Sequence, residues 1–284
     1  MVFPNFIIVG TAKGGTKSLL NYLSQHPDIF TAGIETHFFD RDYNKGLDYY
    51  SKFFDGWNGE KAIGEKTPKY MYSSEAPKRI YELNPDMKLI FLLRDPVSRA
   101  YSNYIHSYRA GIELYSFETR IKNELKPSEN KICFNLNDVD YIERGIYSEQ
   151  IRRYMRYFDK KNMLFLISEE FWKNEMKTVR KVCDFLEVED KSDLIDFSRK
   201  GNIGFFPKNR LISLSVGIFK KYNKISCLKP IEKGLIKFNK KFNNGGVYPP
   251  MNDKTKRILK EFYKPFNQEL NKLIDVDISV WWRD

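Results

Sequence analysis

Two glycines, two lysines and two hydroxyl side chains fall within six residues, Lys13 to Ser18, just after the apolar run "FIIVG". Such a run reads as a buried strand, and the amphipathic stretch after it reads as a helix. A strand, a glycine turn and a helix start aim backbone N–H groups at an anion, and the helix dipole adds partial positive charge there. Gly14 and Gly15 let the backbone approach a ligand, Thr16 and Ser18 add hydroxyl donors, and Lys13 and Lys17 add charge. Gly10 and Gly15 have Walker A spacing, but Thr16 stands where that motif has its lysine. A further cation, Arg94, ends the apolar run "KLIFLL", with Ser98 and Ser102 one turn apart on the helix expected after it. An arginine at a strand's carboxyl end serves a phosphate through a bidentate fork. The chain thus offers two phosphate cradles and no obvious aspartate for the magnesium of a triphosphate site.

The elements that would position these residues alternate. "NFIIVG", "DIFTA", "KAIGEK", "KLIFLLRD" and "NMLFLIS" read as buried strands. Helical spacing lies between them, at 16–24, 75–83, 97–110, 147–158 and 172–186. This predicts an α/β fold, a single domain over residues 1–284 with a central, mostly parallel β-sheet flanked by helices. From Arg199 to Lys241 the pattern changes to twelve Lys or Arg and one acid, Glu232, with apolar residues interleaved. That stretch is expected to be a basic amphipathic face or a flexible substrate-facing insert, broken by Pro230 and glycines. The segment 252–274 is a clear helical pattern, capped by Asn252 or Asp253, which Pro265 should kink or divide.

A length of 284 residues is ample for a sizeable core, and the composition is that of a globular chain. The net charge of +11 favours anionic partners, namely phosphorylated cofactors, acidic polymers, nucleic acid or a membrane surface; the alternative is an ordinary solvated, lysine-rich surface. No apolar run reaches the length of a membrane span, and the start "MVFPNFIIVG" does not read as a secretory leader. Cys133, Cys183 and Cys227 form no CxxC pair, and His26, His37 and His106 are scattered, so no metal site is expected. A reducing, cytoplasmic compartment is the simplest expectation, with contact to a membrane surface left open.

At this point the motifs resemble a family. "VGTAKGGTKSLLNYL" resembles the 5′-phosphosulfate loop of sulfotransferases, and "LIFLLRDPVSRAYSNY" resembles their 3′-phosphate motif. "ETHFFD", "GEKTPKYMYS", "RGIYSEQIRRYMRYF" and "YPPMNDKTKRILKEFYKPFNQELNKLI" resemble the carbohydrate branch, which includes the heparan sulfate sulfotransferases. The resemblance runs in order along roughly four-fifths of the chain and leaves 205–242 unmatched.

It implies a P-loop-like sulfotransferase fold. The donor would be 3′-phosphoadenosine 5′-phosphosulfate (PAPS), the product adenosine 3′,5′-bisphosphate, and the acceptor a carbohydrate or glycolipid, with no metal and no nucleic acid. It places a catalytic glutamate at Glu35, after the strand "DIFTA", with His37 as the rival base. It puts Lys13 and Lys66 at the transferring sulfuryl group; the alternative for Lys66 is a surface lysine paired with Glu65. It gives Gly14, Gly15, Thr16, Lys17 and Ser18 to the 5′-phosphate, Arg94 and Ser102 to the 3′-phosphate, and His37, Lys66, Thr67 and Pro68 to the acceptor. Two departures stand out. Ile34 precedes the glutamate where the family often has lysine, and Asn244, Gly245 and Gly246 replace a Lys-Gly-Arg loop. Backbone N–H groups there, or Lys240 and Lys241, would have to substitute. Phe206 is the candidate for stacking on adenine, with a core phenylalanine as the alternative, and Trp281 and Trp282 are read as an anchor rather than a sugar platform.

Two other classes remain on the sequence alone. A P-loop kinase would need a GK[ST] triplet and a magnesium aspartate. A non-enzymatic polyanion or membrane-surface binder would rest on the basic stretch.

Overall fold

The computed structural model describes residues 1–126, 140–198, 206–222, 228–246 and 249–282. Cys133, Arg199 and Cys227 lie outside the described residues. In chain order come β1 (Phe6–Gly10), α1 (Thr16–Leu23), β2 (Ile29–Thr31), α2 (Leu47–Ser51), β3 (Ala62–Lys66), α3 (Ala76–Leu83) and β4 (Lys88–Leu93). Then follow α4 (Pro96–Arg109), α5 (Phe117–Glu124), α6 (Tyr147–Met155), β5 (Met163–Ile167), α7 (Ser168–Lys173) and α8 (Glu175–Leu186). The chain continues with α9 (Arg210–Tyr222), α10 (Lys229–Phe242) and α11 (Asp253–Leu273). Backbone contacts group these into two compact units.

The first unit, residues 1–95, 146–201 and 266–284, holds the sheet. Its order is β2-β3-β1-β4-β5, and every pairing is parallel. Both faces are covered, which is why the strands read as unbroken apolar runs. Alternate residues of each strand point to opposite faces. Ile7, Val9, Leu89, Phe91 and Phe165 pack with Ile80, Ile151, Tyr154 and Ile274. Phe6, Ile8, Ile90 and Leu92 pack with Leu19, Leu23, Val179 and Val182. The chain moves from β1 to β2 on one side and from β3 across β1 to β4 on the other. In open parallel sheets such a reversal leaves a crevice at the strands' carboxyl ends.

All five expected strands are present. The helix expected over 172–186 instead breaks at Asn174, whose side chain accepts from the Lys177 N–H at 2.9 Å and caps α8. Of the kink or division expected at Pro265, the division is absent: α11 runs unbroken through it. The proline lies on an exposed face, and Glu261, the residue whose carbonyl it leaves unpaired, is exposed too, so water can meet that carbonyl. The division between the units falls at this proline.

The second unit is residues 96–145 and 202–265. Here α4 packs on α9, and α9 packs on α10. Arg99 is fully buried and donates to the Tyr141 carbonyl, a structural role. The basic stretch, expected as an amphipathic face or a flexible insert, is in its described part a pair of helices, α9 and α10. Pro230 occupies the first turn of α10, where a missing N–H costs nothing.

Candidate active site

The loop after β1 is drawn tightly onto the sheet. The Thr11 N–H donates to the Leu92 carbonyl at 2.8 Å, and the Gly14 N–H to the Thr11 carbonyl at 3.0 Å. A Cβ on Gly14 would stand 2.5 Å from the Leu92 carbonyl oxygen, so no other residue fits. Gly15 caps α1 in the left-handed region at φ 104°, and Lys13 also takes a positive φ, 73°. A lysine held there is strained backbone of the kind that gathers at ligand clamps. Thr16 and Ser18 are buried at the first turn of α1, Lys13 is half-buried, and Lys17 is exposed. The first amides of a helix have no intrahelical partner, so this turn can take an anion.

Arg94 follows β4 at the same edge of the sheet. Its Nη1 donates to the Lys13 backbone carbonyl at 3.0 Å, so the Arg94 guanidinium rests against the backbone of the glycine loop. The Tyr147 hydroxyl donates to the Arg94 carbonyl at 2.9 Å and fixes the backbone there.

Beyond β2 and β3 lies a chain of charges. The Lys66 Nζ donates to Glu35 Oε1 in a short ion pair, and His37 Nε2 is 3.4 Å from Glu35 Oε2. The other His37 ring nitrogen, Nδ1, is 3.1 Å from Asp40 Oδ1, and Lys69 stands 3.6 Å from Asp40 Oδ2. Burial alone would raise the Glu35 carboxyl, but His37 and Lys66 outweigh it and hold the group at about 2. The hydrogen bonds to Asp40 and then Glu35 raise His37 to about 9, against its partial burial. At neutral pH His37 is therefore an imidazolium with carboxylates at both nitrogens. It has no lone pair with which to act as the rival base. Glu35 keeps 41% of its side chain exposed, so an acceptor can reach it. Like Lys13, His37 adopts a positive φ, 52°.

Glu65 is the residue the sequence did not single out. Its carboxylate is fully buried and accepts from the hydroxyls of Thr36 at 2.8 Å, Tyr50 at 2.8 Å, Thr67 at 2.7 Å and Tyr70 at 3.1 Å. Burial raises this carboxyl, and the four hydroxyls counter that only in part. Thr36 adjoins Glu35, and Thr67 adjoins Lys66, so one buried group ties down the neighbours of both. Lys66 does not pair with Glu65, because adjacent strand residues face opposite ways. That alternation was available in "GEKT" before any coordinates.

Other expected residues fall as follows. Thr67, expected at the acceptor, is fully buried with its hydroxyl on Glu65, so it supports the site from behind. Pro68 is half-buried and Ile34 exposed. Ser102 lies half-buried on α4, in the second unit. In that unit the Gly245 N–H donates to the Asn244 side chain at 2.8 Å, and the Gly246 N–H to the Phe206 carbonyl at 3.0 Å. Those two amides are thus already engaged, which counts against their standing in for the missing cations. Lys241 lies 5.3 Å from the Phe242 ring centroid, and the Lys240 side chain lies outside the described residues. Phe206 stacks on Tyr108 at 5.4 Å and 8°, beside a cavity of about 250 Å³ lined by Tyr101, Tyr104, Phe117 and Arg210. Trp281 is an anchor, donating to Glu169 Oε2 at 3.0 Å, while Glu169 Oε1 accepts from the Asp95 N–H.

Comparison with known proteins follows the same lines. The sulfotransferase domain family profile matches residues 3–205. Human heparan sulfate glucosamine 3-O-sulfotransferase 3B1 is 31% identical over 97% of this chain, which spans 64% of that relative's length. Human heparan sulfate glucosamine 3-O-sulfotransferase 6 is 31% identical, covering 98% of this chain and 73% of its own. A solved sulfotransferase from Alicyclobacillus acidocaldarius superposes with a TM-score of 0.73 at 27% identity over the whole of both chains. With a parallel sheet, a glycine loop on its first strand and this likeness over nearly its full length, the chain belongs to the sulfotransferase family.

Proposed function

We propose that this chain transfers a sulfuryl group from PAPS to a hydroxyl or amine of a carbohydrate-type acceptor, with Glu35 as the general base. The observation that carries the reading is the Glu35 carboxylate, open to solvent yet held by Lys66 and His37, at the same sheet edge as the glycine loop and Arg94. The loop fits a phosphosulfate: Gly14 leaves no room for a Cβ, Lys13 and Lys17 flank the glycines, and the first turn of α1 follows them. When bound, PAPS supplies the sulfuryl group and departs as adenosine 3′,5′-bisphosphate.

Gly14, Gly15, Thr16, Lys17 and Ser18 hold the 5′-phosphate, and Lys13 neutralises charge that grows on the leaving oxygen. Arg94 serves the 3′-phosphate, to which the family resemblance adds Ser102. Glu35 takes the proton of the acceptor hydroxyl as the new oxygen–sulfur bond forms. A carboxyl held at about 2 is a weak base, so Lys66 has a second task. On leaving Glu35 for the transferring group it stabilises that group and lets the Glu35 carboxyl rise. His37, charged and braced by Asp40, keeps the carboxylate oriented throughout.

The relatives are named for the glucosamine of heparan sulfate, and an acidic aminosugar glycan or glycolipid is the acceptor class that this chain's charge fits. A cytoplasmic site of action stays part of the reading, with Cys183 a buried free thiol.

The test pairs two measurements. Adenosine 3′,5′-bisphosphate at about 100 Kd should stabilise the protein by about 2.7 kcal/mol, and ATP with magnesium should not. Radiolabelled sulfate should pass from PAPS to a member of a panel of glycans and glycolipids. The Glu35→Gln variant should keep the thermal shift and lose turnover. Stabilisation by ATP with magnesium alone would favour a kinase, and full turnover in the variant removes Glu35 from the mechanism.

A further inference from the structure

Outside the catalytic edge, the most unusual surface belongs to α9 and α10, which lie beyond the family match at residue 205. Their inner sides are firmly seated. Asn243 Nδ2 donates to the Asn209 carbonyl at 2.6 Å and to Asn239 Oδ1 at 2.8 Å, and Ser213 and Asn239 join side chains at 3.2 Å. These are buried amides and hydroxyls with partners, which fix one packing of the helix pair. Gly217 allows α9 to touch the end of α4, since a Cβ there would lie 2.1 Å from the Gly111 carbonyl oxygen.

The outer side is the reverse. On α10 the side chains of Ile231, Phe238 and Phe242 are 53%, 51% and 62% exposed, and Phe238 and Phe242 touch each other, centroids 4.9 Å apart. At about 100° per residue these three fall within roughly 40° of one another. By the same geometry Lys241 and Lys237 lie roughly 60–140° from that stripe, on the adjoining flank, while Lys229 and Lys233 turn to the far side; all four are exposed. The helix carries five lysines and one acid. Leu211 and Ile218, seven apart on α9, form a second exposed apolar line.

We propose that this helix pair is a docking surface for an anionic lipid bilayer, with Ile231, Phe238 and Phe242 entering the headgroup–acyl boundary and the lysine flank on the acidic headgroups. An apolar stripe beside a basic flank is the pattern of an interfacial helix. Charge complementarity selects the anionic surface, and the exposed aliphatic side chains Ile231, Leu211 and Ile218 beside the phenylalanines favour lipid over a soluble glycan. Among the described residues no helix is long and apolar enough to cross a membrane, so the surface lies on the bilayer. The inference is independent of the catalytic reading.

The test is co-sedimentation of the full chain with phosphatidylcholine vesicles, with and without a third of phosphatidylglycerol. Binding to the anionic vesicles alone is expected. Phe238→Ser with Phe242→Ser, and separately Lys237→Gln with Lys241→Gln, should each weaken it about tenfold or more. All four positions are exposed, so melting temperature should not move, and a fold-disrupting change would show there. No sedimentation with anionic vesicles overturns the proposal. So does wild-type binding by the phenylalanine variant, and so does binding confined to a soluble heparan oligosaccharide, both of which mark a site for polyanions.

Discussion

His37 illustrates how partners decide a role that residue type leaves open. A histidine near a glutamate reads equally as base or as support. Carboxylates at both ring nitrogens make it a fixed cation, and the sign of the pH dependence follows. A group raised to about 9 carries its charge below that value and loses it as pH climbs through it. We therefore expect kcat/KM to fall on a basic limb near pH 9, because neutral His37 no longer braces Glu35. His37→Asn should show lower turnover and no such limb. A limb that survives the substitution belongs to another group. Asp40 sits three residues from His37, and only the turn there brings the two together, whereas Glu65 as anchor was not legible because most of its partners come from other parts of the chain. Thr36, Tyr50 and Tyr70 reach Glu65 from three segments.

Among the elements, legibility followed burial. All five strands could be read because a parallel sheet covered on both faces needs continuous apolar runs, and "FIIVG" and "KLIFLL" have them. The glycine loop could be read because its chemistry is local. α9 and α10 could not be settled: lysines interleaved with apolar residues on half-packed helices mimic a flexible insert, and only the Asn239–Asn243 network shows what seats them. The positive φ of Lys13 and His37 had no sequence signal at all. Two glycines provide an element-scale test. Gly14→Ala sets a Cβ 2.5 Å from a carbonyl of β4, an atom that cannot yield without moving the strand. We expect about 1–3 kcal/mol of lost stability and loss of the adenosine 3′,5′-bisphosphate shift. Gly234→Ala, in α10 with nothing within 4 Å, should instead stabilise by about 0.5–1 kcal/mol. Thermal unfolding of both, with and without the bisphosphate, checks the pair, and equal behaviour would mean the loop is looser than its hydrogen bonds imply.

At the scale of the whole molecule the charge is unevenly divided. The sheet-bearing unit has 26 Lys and Arg against 27 Asp and Glu, and the second unit has 22 against 10. The net +11 is therefore not a uniformly lysine-rich surface but a property of one unit. Donor binding in a loop built from backbone amides and half-buried cations is shielded from bulk ions, whereas exposed lysines interact through solvent that salt screens over about 8–10 Å. The two ligands should then respond differently to ionic strength. Raising salt from about 0.05 to about 0.3 M should raise the KM for a heparan oligosaccharide about tenfold, leave kcat nearly constant and change the KM for PAPS much less. A neutral acceptor sugar should show no such rise. Steady-state kinetics at several salt concentrations measures all three. An oligosaccharide KM that stays flat would separate the basic unit from acceptor capture and leave its charge to the bilayer alone.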